Sequence, residues 1–299
     1  MVMAKIGRFA NDTARAEYLA MYEAAEGLWP LPVTQADIAT SFGSTHVRWS
    51  GEGDGIPIVL LHGVGANGLA WHFVIEDLAR DRVVYALDTI GTAGRSVQTA
   101  PLTREADFAV WVNEVLAGLG LERVHLVGYS HGAWHASLVA LHDAGRLASV
   151  TLVEPGGMFT KPPWRVLLKM IRFGMGGRSD ANMRKMMAWL SPGVEVTEQE
   201  FAVAKAALRY RMGIGWARVL KDAELQAITV PTLVVFGGDS LVTDAEVASR
   251  RIVENIPNGE TQVYPGRGHG VFYEIPQRVA ARILAFAARH EASNSAVPE

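Results

Sequence analysis

Cysteine is absent from the 299 residues. That excludes a disulfide scaffold, a thiolate nucleophile and any cysteine-ligated metal or cluster. Also absent is an uninterrupted apolar run of about 18 residues, the length that spans a bilayer. The opening stretch, MVMAKIGRFANDTARAEYLAM, lacks the continuous apolar core of a signal peptide. No membrane span and a cytoplasmic location are the expectations. There is no excess of positive charge either: 28 Lys and Arg stand against 31 Asp and Glu, a net charge of −3, which gives no reason to expect nucleic acid as a partner. Internal repeats are missing, and the only biased tract is the short polar tail EASNSAVPE, which reads as frayed.

What is present is a globular composition, 49% hydrophobic and 20% charged. Residues 11–26 read as an amphipathic helix that Asn11 or Thr13 can cap. STHVRWS (44–50) alternates like a strand, and GEGDG (51–55) turns the chain. IPIVLLHG (56–63) is a short continuous apolar run, as expected of a strand buried on both faces. The same type recurs at 82–88, 124–128, 149–154 and 231–238, with a last strand at 261–264. Helical patterns fall between them, at 71–80, 106–119, 133–142 and 245–255, and a final one covers about 277–290. Such alternation predicts a largely parallel sheet with helices on both faces, its chemistry at the carboxyl ends of the strands.

One segment breaks the alternation. From Met158 to about Lys221 no strand is evident, and WRVLLKMIRFGM, ANMRKMMAWL and EQEFAVAKAALRYRMGIGWARVL read as helices. We read 157–226 as a helical cap inserted into a core made of 1–156 and 227–299. The cap holds seven of the ten methionines and several bulky aromatics, a composition that adapts to varied apolar ligands when it does not merely pack the cap onto the sheet. Trp164, Met187, Trp189 and Trp216 are its candidate pocket residues. Between Gly157 and Lys221 twelve Lys and Arg face four Asp and Glu, which solvated helix faces explain and attraction of anionic substrates could also use.

The chemistry centres on HLVGYSHGAWHA (125–136), where Ser130 stands between Gly128 and Gly132. A serine between a strand and a helix can be only an N-cap. An N-cap, however, requires neither glycine, whereas a nucleophile elbow requires both: its turn is so tight that side chains two residues either side of the serine would collide. Acyl chemistry further needs oxyanion donors. LLHGVGANG (60–68) supplies them, the candidates being the backbone N–H groups of Val64 and His131, with Gly63 and Gly65 bending the loop and His62 shaping it. The loop matches neither the dinucleotide nor the P-loop pattern. Among nine histidines only His269, in YPGRGHGVFYEIP, lies in a glycine-rich loop after the last strand, where it can reach Ser130 as base. His125, His131, His135 and His142 read as packing or exposed residues.

These residues resemble the α/β-hydrolase superfamily over about 42–290. Matching in order are the His-Gly loop, DTIGTAGRS (88–96), the elbow, the cap, and GHG before EIPQRV; the N-terminal helix followed by FGSTHV resembles a group of bacterial carboxylesterases. The resemblance implies an α/β-hydrolase fold and the chain order serine, acid, histidine. It places the acid three residues after the glycine that ends the penultimate strand, and counting from Gly237 reaches Ser240. A shifted turn would present Asp239 instead, the first assignment. Glu154, in TLVEPGG at the end of the preceding strand, is the alternative acid, and Asp244 reads as a helix cap.

The resulting expectation is a serine hydrolase acting on small to medium carboxylic esters through an acyl-enzyme, with no metal and no organic cofactor. A C–C bond hydrolase, thioesterase or acyltransferase would use the same residues, and a ligand-binding homologue without turnover is the reading from another class. Serine at the elbow argues against a haloalkane dehalogenase or epoxide hydrolase, and the few cap carboxylates against an aminopeptidase. The sequence leaves the oligomeric state and the natural substrate open.

Overall fold

A computed structural model of the chain describes residues 5–175 and 179–291; the polar tail beyond Glu291 lies outside them. Eight strands form the main sheet: β1 Thr34–Thr40, β2 Gly43–Ser50, β3 Ile58–Leu61, β4 Val84–Leu87, β5 Val124–Tyr129, β6 Leu147–Val153, β7 Thr232–Gly237 and β8 Gly259–Tyr264. Eight helices of ten residues or more accompany them among the described residues: α1 Asp12–Ala25, α2 Ala106–Gly118, α3 His131–His142, α4 Trp164–Met175, α5 Asp180–Leu190, α6 Glu198–Ala207, α7 Ala245–Asn255 and α8 Pro276–Arg289. The strand order is β8-β7-β6-β5-β3-β4-β2-β1. Strands β3 to β8 pair in parallel, while β2 runs antiparallel to both β4 and β1, and Val97–Gln98 adds a short antiparallel pair to β2.

Period-two alternation divides each central strand between two cores. Val59, Leu126, Val234 and Phe236 face one side with Trp111 and Trp134 of α2 and α3. Leu60, Val127, Leu233 and Val235 face the other with Phe286 of α8 and the tyrosines of α1. A strand buried on both faces has no polar side to show, which explains the continuous apolar runs. Each fully buried Leu, Val or Phe here stabilises the fold by about 1.5–3 kcal/mol relative to an exposed one.

Three expectations need correction. The region read as strand-free carries a two-residue strand, Tyr210–Arg211, paired antiparallel with Arg8–Phe9. The long helix read from the run beginning at Glu198 stops at Ala207, with Leu208 as its C-cap. Residues 71–80 hold only a 3-10 turn, Gly68–Trp71, and one helical turn, Ile75–Leu78. Between β6 and β7 the chain builds α4, α5, α6 and the short helix Asp222–Gln226. Helix α1 is capped by Asn11, whose side chain accepts from the Ala14 N–H at 2.9 Å. Its Tyr18 and Tyr22 are fully buried: Asn67 donates to the Tyr18 hydroxyl, and Arg48 donates to the Tyr22 hydroxyl. No helix among the described residues is long and apolar enough to cross a membrane.

Candidate active site

Strand β5 ends at Tyr129, and α3 begins at His131. Ser130 between them has φ 53° and ψ −115°, in the left-handed half of conformational space that a side chain enters only at a cost of about 1–3 kcal/mol. Its side chain accepts no capping bond, so it does not serve as an N-cap. The flanking glycines are sterically obligatory. A Cβ on Gly128 would lie 2.3 Å from the Gly132 carbonyl oxygen, and one on Gly132 would lie 2.0 Å from the Leu61 carbonyl oxygen. Both obstacles are backbone, which cannot swing aside. Gly128→Ala is therefore expected to cost about 3 kcal/mol or more, as severe overpacking does. Urea denaturation checks this, and a variant as stable as the parent would refute the tight-turn account.

His269 stands in the loop after β8, 6% exposed. Its Nε2 is 3.1 Å from Ser130 Oγ, and its Nδ1 is 2.9 Å from Glu154 Oε2. The loop is held on one side by the Tyr129 hydroxyl, which donates to the His269 carbonyl at 2.9 Å. Burial pushes the Tyr129 hydroxyl well up, with help from Tyr273 and Glu154, so it remains a donor. On the other side the loop touches Gly237, where a Cβ would sit 2.3 Å from the Gly268 carbonyl oxygen.

The acid is where the sequence expectation fails. Asp239 is exposed and its carboxylate makes no hydrogen bond among the described residues; only its backbone N–H is engaged, with Arg267. Glu154 meets His269 instead. It follows β6 directly, is fully buried, and has φ 50°, the only non-glycine residue besides Ser130 with positive φ among the described residues. Three donors satisfy its carboxylate: the Gly237 N–H at 2.5 Å, the Ser240 hydroxyl at 2.6 Å, and the His269 ring. A buried carboxylate is tolerable only with such partners. Ser240, at the position where counting sought the acid, thus donates to an acid drawn from the neighbouring strand. Asp244 caps α7, its side chain accepting from the Val247 N–H at 3.0 Å.

The loop after β3 lies against the elbow: a Cβ on Gly63 would contact the Ser130 Cβ at 3.3 Å. Neither the Val64 N–H nor the His131 N–H donates to a protein acceptor among the described residues. His62 fixes the loop in one tautomer. Its Nδ1–H donates to the Gly63 carbonyl at 2.8 Å, and its Nε2 accepts from the Thr89 N–H at 3.0 Å. Gly65 has φ 77°, which glycine alone adopts freely.

A cavity of about 260 Å³ opens on Ser130, His269, Gly63, Val64 and Gly65. Met187, Leu190, Val194 and Val203 wall it from the inserted segment, and Ala25 and Leu28 from the N-terminal arm. At its side His72 and Glu200 pair at 3.0 Å. No Lys or Arg among the described residues lines it; two of the four acids between Gly157 and Lys221, Glu195 and Glu200, do line it. Of the four expected pocket residues only Met187 is there. Trp164 is 66% exposed on the outer surface. Trp189 packs against the Phe173 ring, centroids 5.5 Å apart. Trp216 borders a separate cavity beyond His131, its ring 5.6 Å from that imidazole. Residue type marked them as bulky, but which way Trp164 and Trp189 turn depends on how their helices dock, and Trp216 lies beyond the end of α6 in non-helical chain.

Four buried histidines are held neutral. Burial pushes His62 and His135 down, takes His131 to about 4, and, with Arg82 and Arg123 nearby, takes His125 to about 3. His135 stacks on Phe108 at 4.3 Å, and neither of its ring nitrogens has a hydrogen-bond partner among the described residues. Once unfolded, each takes up a proton near pH 6.5, whereas the folded protein refuses it until lower pH. The unfolded state thus binds more protons below about pH 6.5, and stability falls there by up to about 1.4 kcal/mol per histidine per pH unit. Calorimetry is expected to show Tm declining from pH 6.5 to 4.5, with a shallower decline for His135→Leu. An equally steep limb in that variant would remove His135 from the account.

The alpha/beta hydrolase family model matches residues 58–282, three quarters of the chain. Among similar proteins of Bacillus subtilis strain 168 are the uncharacterized carboxylesterase nap, 28% identical over 90% of this chain and 91% of its own, and the carboxylesterase YbfK, 26% identical over 93% and 96%. The crystal structure of naproxen esterase (carboxylesterase NP) from B. subtilis superposes with TM-score 0.82 at 26% identity, covering 91% of this chain and 97% of that one. The crystal structure of carboxylesterase CesB (YbfK) gives 0.83 at 24% identity, covering 92% and 98%. With the family model spanning the sheet from β3 into α8 and including the elbow, this chain belongs to the alpha/beta hydrolase family.

Proposed function

We propose that the protein is a serine hydrolase that cleaves carboxylic esters through an acyl-enzyme on Ser130. The single observation that carries this reading is the relay Ser130 Oγ–His269–Glu154, with spacings of 3.1 and 2.9 Å, at a strained elbow. Glu154 accepts from the Nδ1–H of His269 and leaves Nε2 bare to take the Ser130 proton. As Oγ bonds to the ester carbonyl carbon, the oxyanion forms beside the uncommitted Val64 and His131 N–H groups, which are positioned to donate to it. The imidazolium returns its proton to the departing alkoxide, which leaves as the alcohol. Water, deprotonated by His269, then attacks the acyl carbonyl, and collapse releases the carboxylic acid and restores the Ser130 hydroxyl. The apolar wall and modest volume of the cavity suit a small to medium uncharged ester. The carboxylesterases among its relatives support the same reaction class.

The test joins turnover to labelling. Hydrolysis of p-nitrophenyl butyrate is followed while a fluorophosphonate reacts with the protein, and the adduct is located by peptide mass spectrometry. We expect activity to fall in step with one phosphonyl group per chain, carried on Ser130. Activity that survives full labelling, or a label on another residue, would overturn the assignment.

A further inference from the structure

Helix α4 leaves its apolar side uncovered. Trp164, Leu167, Leu168, Ile171 and Met175 are between 50% and 83% exposed. Together with Met170 they make six of the sixteen large exposed hydrophobics among the described residues, on a helix of twelve. Such clustering differs from the scattered apolar side chains of an ordinary surface. At about 100° per residue, the five fall within one arc of about 100°. Val166 and Phe173 lie on the opposite side. Val166 is buried and Phe173 meets Trp189 of α5, so the helix is docked through that side and the stripe faces outward.

Charge names the occupant. No Asp or Glu occurs between Glu154 and Asp180. Lys161, Arg165, Lys169 and Arg172 are exposed, none has an ion-pair partner among the described residues, and the last three follow one edge of the stripe. The Lys169 ammonium lies 4.5 Å from the Trp189 ring centre, and the Arg165 guanidinium 5.6 Å from the ring centre of Trp164. A second copy of the chain on this face would set four unpaired cations against the same four, an isologous contact that repels itself. An acid-free basic helix with a Trp- and Leu-bearing stripe suits a lipid surface that is negatively charged. We propose that α4 docks the protein on anionic membranes, with the stripe in the acyl boundary and the cations among the headgroups. This proposal does not depend on the chemistry at Ser130.

Vesicle flotation tests it, using phosphatidylcholine vesicles with and without 30% phosphatidylglycerol. The expected result is at least tenfold stronger binding to the anionic vesicles, most of it lost in 0.5 M NaCl as the charges are screened. Leu168→Asp with Ile171→Asp should lower that binding at least tenfold, while turnover of dissolved p-nitrophenyl butyrate stays within twofold. Both positions are exposed, so folding survives, and Arg165→Gln with Arg172→Gln gives an independent loss of the salt-sensitive part. Wild-type protein that ignores anionic vesicles, or a double aspartate variant that binds as well, would overturn the proposal. So would sedimentation showing a dimer that the aspartates split, which would give the face to a second copy.

Discussion

Glu154→Gln is expected to lower kcat for a p-nitrophenyl ester by about 10,000-fold, the loss seen when a triad acid loses its charge. The local geometry says how. Oε1 accepts from the Gly237 N–H, so a glutamine that keeps that bond turns its NH2 toward Ser240 and the His269 ring. Nδ1 must then accept a hydrogen bond from that NH2, and the single ring proton moves to Nε2, pointing at Ser130. An imidazole in that tautomer cannot take the serine proton. Asp239→Asn, by contrast, changes an exposed carboxylate with no side-chain partner and should stay within twofold of wild type. Initial rates on both variants decide between the two acids. The reverse ranking would return the role to Asp239, and two unaffected variants would remove both.

Ser130→Ala should be more damaging still, with kcat reduced by about a million-fold, close to the loss found when such a nucleophile is deleted. Its value lies in what stays constant. Alanine keeps the Cβ and therefore keeps the strain at φ 53°, so Tm and circular dichroism should match the parent. Ser130→Gly would also be inactive, yet it relieves the strain and should melt higher by an amount worth about 1 kcal/mol. Equal loss of activity, with stability unchanged in one variant and raised in the other, separates a nucleophile from a helix cap. A capping serine would instead lose stability on replacement by alanine. An alanine variant that still hydrolyses the ester would exclude Ser130 from the reaction.

The parts legible in the sequence are those that local sterics or alternation dictate. Gly128 and Gly132 announce the elbow because a Cβ at either would enter backbone. The apolar runs announce the parallel strands because both faces of β3, β5 and β7 are covered. Counting along the chain failed where function depends on two strands at once. The step from Gly237 to Ser240 was counted correctly, but Ser240 is there to donate to a carboxylate 86 residues away. A clue existed in that hydroxyl, since a polar side chain in the acid's place needs a partner, and Glu154 ends the adjacent strand. Trp164 and Trp216 misled for the opposite reason: their size suggested burial, while each stands two-thirds exposed. β1 escaped notice because TQADIAT, at the sheet's edge, is largely exposed and carries little apolar signal.

The N-terminal arm has a bearing on how the chain folds as it is made. Arg8–Phe9 pairs with Tyr210–Arg211, and Glu17 pairs with Arg209 across 192 residues. Tyr18 and Tyr22 likewise wait for Asn67 and Asp88. Helix α1 can therefore finish docking only after the chain has been made as far as Arg211. Closing so long a loop is entropically slow, so α1 can meet Asn67 and Asp88 early while the Val203 and Tyr210 side of its packing stays open until then. Completing the arm should thus be a late step of folding, and a chain released before residue 211 would carry a half-docked aromatic arm prone to association.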